Sequence, residues 1–469
     1  MTEHYQLSDD NLKHGITLET LLKQLWNFEN GFPFANITSA AISGNGITAP
    51  STDIPTYPTD EYKIVKFVPA SGAATRMFRD LFTYLSTNEM NTTTQAVLDN
   101  LEKFAFYDDL KVFLPENASD HDIIECIITE RGLNYGNLPK GLLKFHKYDS
   151  ETRTAVAEHL AESAQYAASN GTVNIHFTVS PEHIDGFNQI LNTLVPEYEQ
   201  KTGLKYDITL STQKPETNTI AVNPDNTPFL DENGNYVFRP AGHGALIENL
   251  NDIDADIIFI KNIDNVCPEH TRGDTIRTKR LLLNYGIHIQ QQIFEYINAI
   301  DNGTSDTDKI YDFICSHLGY RPAPGTDLRS ILNRPLRVCG MVLNTGAPGG
   351  GPFWTTDPHG NESLQIVESA QISPEQSSIL TSGQYFNPVD LVCFVRDYRG
   401  NKFDLREFID PNTGFISEKS HNGRPLRAME LPGLWNGAMA HWNTVFIAVP
   451  GTTFTPAKVI TDLIKPEHN

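Results

Sequence analysis

The chain has 469 residues, enough for a large catalytic domain with additions rather than one small core. Asp and Glu number 58 against 36 Lys and Arg, and the formal net charge of -22 repels phosphate backbones and anionic lipid, which argues against nucleic-acid and membrane-surface binders. With 20 % charged and 10 % aromatic residues, the composition also excludes wholesale disorder.

Residues 18–28 (LETLLKQLWNF) carry apolar side chains at helical spacing and predict a short helix. The Gly, Pro and Thr-rich stretch GNGITAPSTDIPTYPTD then predicts a surface linker. From Lys63, KIVKFVPASGAATRMFRDL reads as an apolar strand, a small-residue turn and a helix starting near Thr75. Residues 82–130 predict mostly helix. GTVNIHFTVS and YDITLST predict strands on either side of the helix HIDGFNQILNTLVPEYEQ, a β-α-β unit. The strand ADIIFIKNI leads into the polar run DNVCPEHTRGD, and RTKRLLLNYGIHIQQQIFEYINAI predicts a long amphipathic helix. The last third alternates strands (VCGMVLN, DLVCFVRDY, NTVFIAVP) with Gly/Pro-rich loops, and no internal repeat is visible. This alternation predicts an α/β protein built on a largely parallel sheet.

Three places suggest chemistry. PASGAATRM sets small residues between a strand and a helix N-terminus, where backbone N–H groups converge and an anion can approach closely; Arg76 would then bind a phosphate bidentately. It is neither a G-K-[ST] phosphate loop nor a G-x-G-x-x-G turn, and a tight packed turn explains the same residues. Lys140 follows a proline in LPKGLLKFHKY, where a solvated lysine is the bland alternative. In FRPAGHGALIENLNDIDADIIFIKNIDNV, two glycines bare the backbone around His243, and a strand runs into Asn262, Asp264 and Asn265. A carboxylate at that strand end faces the crevice where open α/β sheets bind ligands, and one Asp suits Mg²⁺; a capped loop histidine and an Asx-turn are the alternatives.

In the order of these motifs the chain resembles the UDP-sugar pyrophosphorylase family, nucleotidyltransferases of the glycosyltransferase-A type, and more closely an uncharacterised bacterial family of that superfamily. The family's Gly-rich loop ending in Thr-Arg resembles Ser71, Gly72, Ala73, Ala74, Thr75 and Arg76, and its Pro-Lys resembles Pro139-Lys140. HFTVS, Gln213 in TQKP, the P-x-G-H-G loop Pro240 to Gly244 and the N-x-D-N strand end Asn262 to Asn265 follow in the family's order. LQIVESAQI places Glu368, YFNPVD places Asn387, and VPGTTFTPAKVITDL places Lys458. The islands span about Lys63 to Lys465.

The resemblance implies an α/β, three-layer sandwich around a mixed, mostly parallel sheet with helical additions. It divides the chain into an extension (1–60), a catalytic domain (61–400) with a helical insertion at about 78–137 that folds out of the sheet, and a portion (401–469) completing the site. It implies a Mg²⁺-dependent reaction of a nucleoside triphosphate with a sugar-1-phosphate, giving a nucleotide-sugar and pyrophosphate. Arg76, Lys140 and Lys458 would act on the phosphates and Asp264 would hold the metal. Ser71, Gly72, Ala73, Thr75, Gln213, Gly242, His243 and Gly244 would bind the nucleotide, and Asn262, Asn265, Glu368 and Asn387 the sugar. The family loop has glycine where this chain has Ser71 and Ala74, and a Cβ there would narrow the nucleotide pocket, or abolish binding if the backbone needs φ > 0. A non-catalytic nucleotide or nucleotide-sugar binder on the same fold, or a glycosyltransferase, is the alternative; the base, the sugar and the oligomeric state stay open.

Other signals point away from further chemistry. Five cysteines scattered without a C-x-x-C pair, a first segment lacking a basic-then-apolar leader pattern, and no 18-residue apolar run predict a reduced, cytoplasmic protein. TGAPGGGPFW has no lysine or helix start after its glycines and predicts a loop near the sugar; Cys267-x-x-His270 lacks a second ligand pair for zinc. Trp435, Trp442 and Phe446 are expected in the core, and no G-x-S-x-G is present.

Overall fold

The computed structural model describes residues 7, 9–13, 15–50, 53–72, 74–346, 349–421 and 423–468. The chain forms two compact units, each of three segments: Met1–Tyr57, Gln213–Ile258 and Leu281–Val449 in the first, and Pro58–Thr212, Phe259–Arg280 and Pro450–Asn469 in the second. Each unit draws on segments far apart in sequence.

In the second unit, Ile64–Pro69 pairs in parallel with Thr172–Thr178, and this strand pairs in parallel with Lys205–Ser211. The helix Ile184–Thr202 connects the last two, so the expected β-α-β unit forms. Five of the six residues of Ile64–Pro69 are buried, the pattern of a strand covered on both faces. The α-helix after it begins at Arg79 and not near Thr75: Ala74–Arg76 is a single 3-10 turn, and Arg79–Thr87 follows. The helices of the insertion, Arg79–Thr87, Thr92–Asp99 and Asp120–Ile128, start from sequence signals of their own. Asn91 Oδ1 accepts from the Thr94 N–H, and Ser119 forms a capping box with Asp122. Their apolar residues Leu81, Val97, Ile124 and Ile127 join Val68, Ile175 and Phe177 in one core. The insertion therefore packs into the sheet's core instead of folding out of it. Ala457, Ile460 and Leu463 of the last segment belong to the same core.

In the first unit, the helix Leu18–Asn30 is capped by Thr17, whose Oγ1 accepts from the Thr20 N–H. It buries Leu21, Leu25 and Phe28 against Ile220, Val222 and Met429. Part of the expected linker is strand: Gly46–Thr48 pairs in parallel with Asn443–Ala448. That strand pairs in parallel with Leu336–Leu343, which pairs antiparallel with Asp390–Phe394. The long helix forms as Gly273–Asp301. Its Gly286 lies against the sheet so closely that a Cβ would fall 2.0 Å from the Phe394 ring and 3.1 Å from Val338. Two four-stranded sheets complete the unit; one contains Gly351–Thr356 and Glu362–Val367, the other Thr219–Val222 and Arg424–Glu430. Both units are mixed sheets carrying helices, the α/β class expected. Among the described residues no helix is long and apolar enough to cross a membrane.

Candidate functional site

In the second unit the buried strand Ile257–Lys261, whose last three residues belong to it, ends in a turn closed by the Asn265 N–H on the Asn262 carbonyl (3.1 Å). Asp264 sits in that turn. Its Oδ2 accepts from Lys140 Nζ at 2.8 Å and from Lys458 Nζ at 3.1 Å. Lys140 also donates to the Ala457 carbonyl (2.7 Å), and the Ala457 N–H donates to the Asp264 carbonyl (3.0 Å). The Thr455 N–H bonds Asn265 Oδ1 at 2.9 Å, so the segment bearing Lys458 is held on the Asp264 turn by its backbone. Lys140 opens the 3-10 turn Lys140–Leu142 after Pro139, where a Cβ on Gly141 would meet the Phe187 ring at 2.7 Å. Burial alone would raise the Asp264 carboxyl, but the charges of Lys140 and Lys458 outweigh it and hold the pKa below the usual range. Two ammonium groups on one carboxylate leave net positive charge at this strand end. Asp264 Oδ1 is buried and has no hydrogen-bond partner.

The loop before Arg76 has one of its N–H groups already used: that of Ala74 donates to the Leu138 carbonyl (3.2 Å). Ser180 Oγ donates to the Ser71 carbonyl at 2.9 Å. Ala73 lies outside the described residues. Neither Ser71 nor Ala74 has positive φ, so their Cβ atoms strain nothing in the backbone. Gly72 also has ordinary φ, and a Cβ there would meet nothing within 4 Å. Thr75 and Arg76 are exposed. Among the described residues no carboxylate pairs with Arg76, and no hydrogen bond joins it to the Asp264 cluster. Asn262 is half-buried, whereas Asn265 is buried with its Nδ2 unpartnered.

In the first unit, Pro240 to Gly244 needs its glycines for close approach. Gly242 has φ +75°, and a Cβ there would lie 2.6 Å from Glu430 Oε2; one on Gly244 would lie 2.3 Å from the Pro432 carbonyl oxygen. His243 accepts at Nδ1 from the Leu434 N–H (3.0 Å) and stacks flat on Trp435, the ring centroids 4.2 Å apart and 16° from coplanar. Burial lowers its pKa to about 4, so at neutral pH the ring is uncharged with its proton on Nε2. Asn436 Nδ2 donates to the Ile366 carbonyl (2.9 Å) and reaches Glu368 Oε1 (3.5 Å). Burial raises the Glu368 carboxyl. The Asn387 N–H bonds the Gly350 carbonyl at 3.0 Å, which ties the glycine run to the same cluster. Gln213 Nε2 instead bonds Thr217 Oγ1 (3.2 Å) and Asn218 Oδ1 (3.4 Å) in its own turn, and no contact among the described residues joins it to His243.

Lys140, Asp264 and Lys458 thus come together from three distant segments. Trp435, Asn436 and Glu430 were not anticipated. Trp442 and Phe446 are buried, but Trp435 is half-exposed against His243 and is no core residue. The paired turn signals Pro432-Gly433 and Asn436-Gly437 around it are the clue that could have shown this.

Among the described residues no group of three or more His, Cys, Asp or Glu could hold a metal ion. A Mg²⁺ that takes one carboxylate and completes its shell with water and substrate phosphate fits Asp264, whose Oδ1 is free of partners.

The model of the family described as "Domain of unknown function (DUF4301)" matches residues 6–469. No curated protein matches the chain. Among solved structures, a UDP-glucose pyrophosphorylase variant from Leishmania major is similar with a TM-score of 0.51 and 14 % identity, over 98 % of this chain and 79 % of that one. A UDP-glucose phosphorylase from Trypanosoma brucei is similar with a TM-score of 0.50 and 15 % identity, over 97 % and 76 %. A further Leishmania major variant, in complex with UDP-Glc, gives 0.51 and 14 %, over 95 % and 74 %. The likeness shows a UDP-sugar pyrophosphorylase-like fold.

Proposed function

The chain belongs to the DUF4301 family, and on that premise we propose that it is a Mg²⁺-dependent nucleotidyltransferase joining a nucleoside triphosphate to a sugar-1-phosphate. The observation that carries this reading is the convergence of Lys140 and Lys458 on Asp264 Oδ2 at a strand end. In a chain of net charge -22, positive charge concentrated at a strand end suits small polyanions.

An oxygen of the sugar phosphate attacks the α-phosphorus, the bond from that phosphorus to the bridging oxygen breaks, and pyrophosphate leaves. The nucleophile is already ionised, so no general base is needed. Catalysis is positioning and charge stabilisation. Lys140 and Arg76 bind the triphosphate and leaving pyrophosphate, and Lys458 neutralises the sugar phosphate or α-phosphate. Asp264 would hold Mg²⁺, which when bound would supply further positive charge against the phosphates. Ser71, Gly72 and Thr75 offer backbone and hydroxyl donors to the nucleotide, with Gln213 and the Gly242–Gly244 loop reading the base. Glu368, Asn387, Asn262 and Asn265 bond sugar hydroxyls.

The resemblance of the fold to enzymes whose names include UDP-glucose supports trying UTP and glucose-1-phosphate first. Neither Ser71 nor Ala74 has positive φ, so backbone strain there gives no support to the rival reading, a non-catalytic binder. The five cysteines are unpaired, in keeping with a reducing, cytoplasmic setting. A thermal-shift screen of nucleoside triphosphates and nucleotide-sugars with Mg²⁺ tests the reading: a ligand of the native state raises Tm. A panel without any rise contradicts it.

A further inference from the structure

Two buried side-chain amides of the first unit each have one atom without a partner. Asn387, 5 % exposed, uses its N–H on the Gly350 carbonyl and its Oδ1 on the Val389 N–H, both at 3.0 Å. Its Nδ2 has no acceptor. Val389 is held by that bond at φ 62°, a region β-branched residues avoid, so local strain is retained where it fixes the Asn387 amide. Asn436, 2 % exposed, spends its Nδ2 on the Ile366 carbonyl and Glu368, and its Oδ1 has no donor. Gly350 touches both residues: its carbonyl accepts from the Asn387 N–H, and a Cβ there would fall 3.0 Å from Glu368 Oε1 and 3.2 Å from Asn436 Nδ2.

Buried amides are nearly always paired, so an unpaired donor and an unpaired acceptor on two residues that both flank Gly350 ask for a ligand. An apolar ligand would satisfy neither. A phosphate or carboxylate would satisfy Asn387 but meet Glu368 and the Asn436 carbonyl oxygen. Hydroxyl groups donate and accept, and so fit all three. We propose that Asn436 is a specificity-determining residue for the sugar: its Oδ1 accepts from a ring hydroxyl, as Asn387 Nδ2 donates to one. This rests on the nucleotide-sugar reading above and adds to it a residue that the family motifs do not supply. Asn436 follows Trp435 directly, so the turn that packs on His243 also carries the hydroxyl acceptor.

The test is calorimetric titration of N436A with matched pairs: UDP and UDP-glucose, ADP and ADP-glucose, dTDP and dTDP-glucose, GDP and GDP-mannose. For the pair that binds the unaltered protein, the nucleotide-sugar is expected to weaken about tenfold or more while the nucleoside diphosphate stays within about twofold. Equal weakening of both, or of neither, overturns the proposal. No binding of any pair to the unaltered protein overturns the nucleotide-sugar reading, and this inference with it. Should N436A not fold, the unaltered protein is titrated with singly deoxygenated sugar analogues of the binding pair. At least one missing hydroxyl should then weaken binding about tenfold, and uniform affinity across them overturns the proposal.

Discussion

Asp264 offers one carboxylate oxygen, Oδ2, to two lysines at once: Lys140 at 2.8 Å and Lys458 at 3.1 Å. The two cations are not equivalent, since the Lys140 side chain is 12 % exposed and that of Lys458 55 %. Lys140 is built into the fold, while Lys458 is largely available to a ligand.

Lys458→Ala should therefore change stability by less than about 1 kcal/mol, as exposed pairs do, yet lower kcat about 10²- to 10³-fold, as loss of one charge-stabilising donor does. Asp264→Asn should destabilise by about 3 kcal/mol or more, because it leaves Lys140 partly buried beside a second ammonium without a counterion. Urea unfolding and steady-state kinetics on the two variants separate these effects.

Two glycines in the expected nucleotide loops should behave oppositely. Gly244→Ala puts a Cβ 2.3 Å from the Pro432 carbonyl oxygen, and should cost about 2 kcal/mol or more of stability. Gly72→Ala meets nothing within 4 Å and should leave stability within about 0.5 kcal/mol. If a phosphate approaches that backbone, the same methyl should weaken triphosphate binding. Melting curves with and without nucleotide check both.

Burial lowers the His243 and His468 pKa values to about 4, for His468 with a further lowering from His146. The unfolded chain binds protons at these sites below about pH 6.5, where the folded chain does not. Their contribution is thus complete above about pH 6.5 and is lost as the pH falls toward 4. His243→Asn keeps an acceptor for the Leu434 N–H but cannot titrate, and should flatten the fall of Tm over this window.

Glu162 is the buried carboxylate between Lys66 Nζ (2.7 Å) and Lys261 Nζ (2.8 Å). Glu162→Gln strips both of their counterion and should destabilise by about 3–5 kcal/mol. Burial lowers the Lys66 pKa from 10.5 to about 7, against the raising effect of Glu162. Between those values the unfolded chain binds more protons, so stability should rise from pH 7 to 9, and less steeply in Lys66→Met. Denaturant titrations at the two pH values measure this.

The sequence made the regular elements visible where period alone decides: the apolar run Ile64–Pro69 and the amphipathic helix Gly273–Asp301 both form. Gly46–Thr48 was hidden because three residues in a Gly/Pro/Thr-rich stretch carry no period, and their strand exists only through pairing with Asn443–Ala448. Lys140, Asp264 and Lys458 could be linked through the order of motifs, not through local chemistry, since each alone reads as an ordinary polar residue. Trp435 misled because a turn tryptophan and a core tryptophan look alike in sequence. Its role depends on His243, and that of Asn436 on Ile366 and Glu368, partners distant in the chain.

The most direct measurement is pyrophosphate release from a panel of nucleoside triphosphates and sugar-1-phosphates with Mg²⁺, for the unaltered protein and for Lys458→Ala. At least one pair should release pyrophosphate only when both substrates are present, with the rate in Lys458→Ala lower by about 10²-fold or more. No release from any pair, or equal release by the variant, would contradict the account.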